Sequence, residues 1–235
     1  MSGINSIFYV LVLIMSVVVH EVAHGFAAES QGDPTARFAG RLTLNPLKHI
    51  DMIGSIILPL ILILTNAGFL IGWAKPVPYN EGNLRNKKWG TIAVASAGII
   101  TNLCVALFFG IVSRFLPLVM NVKQSIVAAF LSGNSNLLAQ GFAAGPLAKV
   151  FYIFVIIIFL NLLLALFNLI PIPPLDGSKI LFALIPETPK TIEFQSKIQY
   201  LSLPLLLVFI FFIWPHVVPA IGYLFGLITG IPLSF

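Results

Sequence analysis

An all-α, polytopic membrane protein is the fold class this sequence predicts, and three observations carry the prediction. Of 235 residues, 58% are hydrophobic and only 9% are charged, with a mean hydropathy of +1.01; soluble domains carry about 25% charged residues. The apolar runs are continuous over about twenty residues, the length of a membrane-crossing helix, not alternating over about ten as in an outer-membrane barrel. The polar stretches between them are too short for a soluble domain, so residues 1–235 read as one integral-membrane domain.

The uncharged run Ile7–Val19 and its continuation place a first membrane helix at 5–28. Residues 29–51 are turn-rich, punctuated by Gly32-Asp33-Pro34 and Asn45-Pro46. Within them, the partial alternation of Arg37–Leu44 predicts a short membrane-associated strand. A second apolar segment covers 52–72, followed by a loop over 73–90 with another short strand around Pro76–Tyr79. The third span, 91–116, carries Ser96-Ala97-Gly98, small residues that let helix backbones approach closely.

Residues 121–146 predict a loop with a short amphipathic helix, and the fourth span covers 147–169. Pro171, Pro173 and Pro174 then forbid continuous helix. A short helix over 177–185 and a polar stretch over 186–197 follow. The last apolar region, 198–230, is broken near Trp214-Pro215 and Pro219, as one span plus an interfacial helix or as two shorter pieces. The total is five or six transmembrane helices without an internal repeat.

The net charge of +5 suits a lipid bilayer as partner and does not suggest nucleic acid. The single cysteine, Cys104, excludes an intrachain disulfide and reads as a small core residue. No cleavable signal peptide is expected, because the first apolar run lacks a basic leader. Counting cations leaves orientation open. Arg37, Arg41 and Lys48 precede the second apolar segment; Lys75, Arg85, Lys87 and Lys88 follow it. Either that segment is re-entrant or the positive-inside rule is uninformative here.

Within the first helix lies His20-Glu21-Val22-Ala23-His24. Helical spacing puts His20 and His24 on one face, able to bind one metal ion together, with Glu21 placed to act on a water. Ionisable groups at membrane depth are costly and mark function; a packing cluster is the plainer reading, but three such groups in one turn make an expensive packing device. A catalytic zinc needs three protein ligands and one open position. His216 reads as a membrane-surface residue and His49 as a structural hydrogen-bonding group. Asp176, the only acid between Glu81 and Glu187, is the better third ligand, with helix capping as its competing use. Gly177 beside it permits close approach of another segment.

The chain resembles the site-2 protease family of intramembrane zinc metalloproteases over most of its length. The residues that carry this are His20–His24, Gly40-Arg41-Leu42-Thr43-Leu44-Asn45-Pro46, Ser96–Asn102 and Asn168–Gly177. The resemblance implies one Zn2+ per chain on His20, His24 and Asp176, with Glu21 as general base and acid. It further implies that Asn102 and Asn168 hold substrate backbone or the oxyanion. The implied activity is hydrolysis of peptide bonds in or near transmembrane segments of other membrane proteins, often releasing a cytosolic regulator. The expected location is the cell membrane of a prokaryote. Ile99 stands where relatives often have proline, and no segment is long enough for the peptide-binding or regulatory domains many relatives insert. A membrane metal-ion transporter using the same His/Asp cluster is the competing reading; it needs a translocation path but no general base. A catalytically silent membrane adaptor is the third.

Overall fold

A computed structural model describes residues 3–65 and 72–231 of the chain. Its helices are α1 (Gly3–Ser30), α2 (Thr35–Phe38), α3 (Leu58–Leu64) and α4 (Lys87–Phe115). They continue with α5 (Met120–Ser132), α6 (Ser135–Phe142), α7 (Pro146–Asn168) and α8 (Asp176–Leu184). Last come α9 (Pro189–Tyr200), α10 (Ser202–Val208) and α11 (Trp214–Thr229), with a π-helical turn, Phe209–Ile213, joining the final two.

Four of the described helical runs are long and apolar enough to cross a membrane: α1, α4, α7 and the continuous run Ser202–Thr229. The break expected near Trp214-Pro215 is therefore only a π-helical widening, because proline is tolerated at the start of a helical segment. Residues 121–146 form two helices, and the stretch expected to be merely polar folds as α9, started by a reciprocal Thr188–Thr191 capping box.

Side-chain contacts give the helix directions. The His20 ring lies against Gly98, and His24 bonds the Val94 carbonyl. One turn forward in α1 is thus one turn back in α4, and the two are antiparallel. Asn161 donates to Ser16 Oγ at 2.9 Å, and Asp176 reaches His20, so α7 runs with α1. Arg114, at the end of α4, donates to the carbonyls of Leu227 and Ile228 at the end of α11. At the opposite end Lys87 pairs with Glu187 at 2.7 Å.

Because α1 ends where α4 begins, residues 31–86 form an excursion from one end of the bundle. The chain returns on itself there. Trp73 N–H donates to the Gly54 carbonyl at 3.2 Å, Ser55 Oγ to the Trp73 carbonyl at 2.8 Å, and Lys75 N–H to the His49 carbonyl at 2.8 Å. Among the described residues four helices, against the expected five or six, are long and apolar enough to cross; residues 66–71 of the second apolar segment lie outside the described residues.

No strand forms among the described residues. Where alternation predicted one over Arg37–Leu44, Asp33 closes a turn ahead of α2 by accepting from the Thr35 N–H and hydroxyl, and α2 buries Ala36 beneath Gly25 of α1. Local side-chain-to-backbone hydrogen bonds override a weak period-two pattern. The stretch Pro76–Tyr79 is irregular rather than a strand, and side chains, not a neighbouring strand, take its hydrogen bonds. Cys104 is exposed on α4 rather than in the core. The core centres on α7, with Phe151, Ile156, Ile158 and Leu162 fully enclosed against Ile221 and Phe225 of α11.

Asp33 pins the excursion together. It is buried and also accepts from Asn80 N–H at 2.6 Å and the Asn83 amide at 2.8 Å. Burial alone would raise its pKa, but the donors from Thr35, Asn80 and Asn83 outweigh it and hold the carboxyl below its ordinary value. Asp33→Asn is expected to lower stability by about 1–3 kcal/mol at neutral pH, measured by thermal unfolding in detergent. A depressed folded pKa contributes stability above the unfolded value, roughly pH 4, so the gap between wild type and variant closes as pH falls below it.

Candidate metal centre

The pentad sits in the second half of α1, and its two imidazoles stand edge-to-face with ring centres 4.6 Å apart. His20, Glu21 and His24 each offer a ligand atom, all within 4.8 Å of one another. Asp176 comes to them from α8. Its Oδ2 lies 3.0 Å from His20 Nε2 and 3.1 Å from His24 Nε2. Capping does not compete: Leu175 is the N-cap of α8 and no side chain accepts from the first N–H groups of that helix. Gly177 explains the close approach, since any side chain there would run into the Leu169 carbonyl.

The surroundings prepare these atoms for a cation. His24 Nδ1 donates to the Val94 carbonyl at 2.7 Å, which leaves its Nε2 lone pair facing the Asp176 carboxylate. Two imidazole Nε2 atoms beside one carboxylate oxygen suit a shared metal ion. The other oxygen, Oδ1, accepts from Lys179 Nζ at 3.0 Å. Burial would push the Asp176 carboxyl up, but His20, His24 and Lys179 prevail and hold it below the ordinary carboxylate range. Glu21 is half-buried, and its Oε2 accepts from Val77 N–H at 2.8 Å. Two imidazoles, one ionised carboxylate and an adjacent glutamate fit zinc and its open position.

The structure thus brings together His20, Glu21, His24 and Asp176. It leaves two predicted residues outside that cluster. Asn102 is wholly buried on α4 with neither amide atom bonded to protein. Asn168 spends its amide nitrogen on the Leu164 carbonyl of its own helix, at 3.0 Å. His49 bonds the Thr43 carbonyl at 2.9 Å and His216 is exposed, so neither histidine joins the centre. Sequence reasoning missed Lys179, though its place three residues after Asp176 on a helix was a readable signal. It also missed Val94 and Val77, whose backbone groups leave no trace in residue type.

Such a cluster, walled by helices of membrane-crossing length, defines a membrane zinc metalloprotease. The chain belongs to peptidase family M50, whose family model matches residues 8–213. It is 41% identical over 180 residues to the "Putative zinc metalloprotease YwhC" of Bacillus subtilis (strain 168), covering 76% of this chain and 69% of that protein. No solved structure matches the chain.

Gly98 tests how tightly the centre is walled. A Cβ built there would come within 2.5 Å of the His20 ring. Gly98→Ala is therefore expected to displace His20, lowering stability by about 1–3 kcal/mol and reducing bound zinc, measured by metal analysis of the purified protein.

Proposed function

We propose that this protein is a zinc endopeptidase that cuts peptide bonds in or near transmembrane segments of other membrane proteins. His20, His24 and Asp176 hold the metal, and Glu21 serves as general base and then general acid. The observation that carries this reading is the shared Asp176 Oδ2, 3.0 and 3.1 Å from the two imidazole nitrogens, with Glu21 alongside. Zinc, when bound, lowers the pKa of water from 15.7 to about 7 and polarises a carbonyl. Val77 N–H holds Glu21 Oε2, which leaves Oε1 free to take a proton from the attacking water and deliver it to the leaving nitrogen.

The non-helical stretches 39–45 and 72–80 lie at the metal-bearing end of the bundle and are proposed to line the route by which water reaches the centre, since lipid-facing irregular backbone is not tolerated. Of the thirteen lysines and arginines, only Arg114, Lys123 and Lys149 belong to the opposite end. The positive-inside rule then puts the metal end in the cytosol, and a prokaryotic cell membrane is the proposed location. A cut there suits release of a cytosolic regulator. The substrate helix must unwind locally, because its peptide groups are already bonded. Asn168, at the mouth-side end of α7, is proposed to hold the exposed substrate backbone. Asn102 shares that assignment; at 0% exposure it reaches substrate only when the helices around it part.

Glu21→Gln is expected to retain one zinc per chain while cleavage of a helical membrane peptide in detergent falls by about 10²–10⁴-fold. Asp176→Asn is expected to lose zinc and activity together. Full activity in zinc-loaded Glu21→Gln discards the peptidase reading; undiminished metal flux through it in vesicles favours a carrier.

A further inference from the structure

We infer that Arg41 is a positioning residue for Glu21, acting through the backbone of residues 75–77. The inference rests on the proposed role of Glu21 as base. Arg41 is only 8% exposed, yet none of its bonds goes to a carboxylate. Its guanidinium instead spans three backbone carbonyls: that of Lys48, that of Lys75 at 2.8 Å and that of Pro76 at 3.2 Å. A planar fork of fixed donors is suited to such a set, and a lysine is not.

The Pro76 carbonyl and the Val77 N–H belong to one peptide unit. On one side that unit accepts from Arg41; on the other it donates to Glu21 Oε2 at 2.8 Å. The peptide is planar and rigid, so fixing its oxygen also aims its N–H. A cation on the oxygen further polarises the group and strengthens the donor, as in other chained hydrogen bonds. Pro76 and Pro78 have no N–H, which leaves Val77 as the one donor in this triplet. Its side chain is buried, with Cγ1 2.9 Å from where a Cβ on Gly25 would stand, so α1 holds the strap laterally. Lys75 N–H on the His49 carbonyl, at 2.8 Å, anchors its upstream end. The net effect is to immobilise one oxygen of Glu21 and leave the other to carry protons.

The test compares Arg41→Gln, Val77→Pro and the double variant, each purified full length, for bound zinc, thermal unfolding, and kcat and KM on a helical membrane peptide. Each single change is expected to lower kcat by about tenfold to a hundredfold, as losses of supporting hydrogen bonds do. KM and zinc content stay at the wild-type level, and the double variant is no slower than the worse single one, because both act through one contact. An unchanged kcat, a loss of zinc parallel to the loss of rate, or losses that multiply in the double variant would each overturn the inference. Should Arg41→Gln not fold, Arg41→Lys takes its place with the same expectation, since it keeps the charge but cannot span the carbonyls. Glu21→Gln is run alongside. If it cleaves normally, the base assignment fails; if it is inactive while the strap variants match wild type, only the inference about Arg41 fails.

Discussion

One carboxylate oxygen shared between two imidazoles is the constraint on which this architecture turns. Asp176 and His20 are 156 residues apart, and both are almost fully buried. Leaving any of the three groups unpartnered at that depth costs several kcal/mol, so the helices bearing them must converge. The convergence then dictates the bundle. Helix α1 must lie against α4 closely enough for a backbone carbonyl to bond His24, and α7 must stop where α8 can swing inwards. Two glycines make this possible: Gly98 leaves room for a ring and Gly177 lets two backbones meet.

Surrounding polar groups orient the centre. Val94 sets which nitrogen of His24 carries the proton, Lys179 occupies the spare oxygen of Asp176, and Val77 occupies one oxygen of Glu21. Two of these three partners are backbone groups. Backbone donors and acceptors do not change rotamer, so the centre is held in place with little conformational freedom to lose.

Sequence reading reached the all-helical membrane fold and the grouping of His20, Glu21, His24 and Asp176 because both rest on strong local signals. Long apolar runs leave little choice but membrane helix, and a His-Glu-x-x-His spacing fixes a shared helix face. Asp176 was legible as a candidate ligand through scarcity, as it is the only acid between Glu81 and Glu187. What failed were judgements resting on weak patterns. The alternation in Arg37–Leu44 lost to the local hydrogen bonds of Asp33, which start a helical turn instead. Asn102 and Asn168 were assigned through resemblance alone. The chain shows them buried without a partner and bonded to its own helix, respectively, facts that depend on neighbours no residue type discloses.

The return of the chain between Gly54 and Trp73 also bears on biosynthesis. Since residues 31–86 leave and rejoin the bundle at one end, their cations never have to pass through hydrocarbon, where each would cost roughly 2.5–3.5 kcal/mol on insertion scales. A chain inserting α1 and α4 as an antiparallel pair can thus keep both flanks of this stretch, with their cations, at one face of the bundle while the metal-binding end assembles.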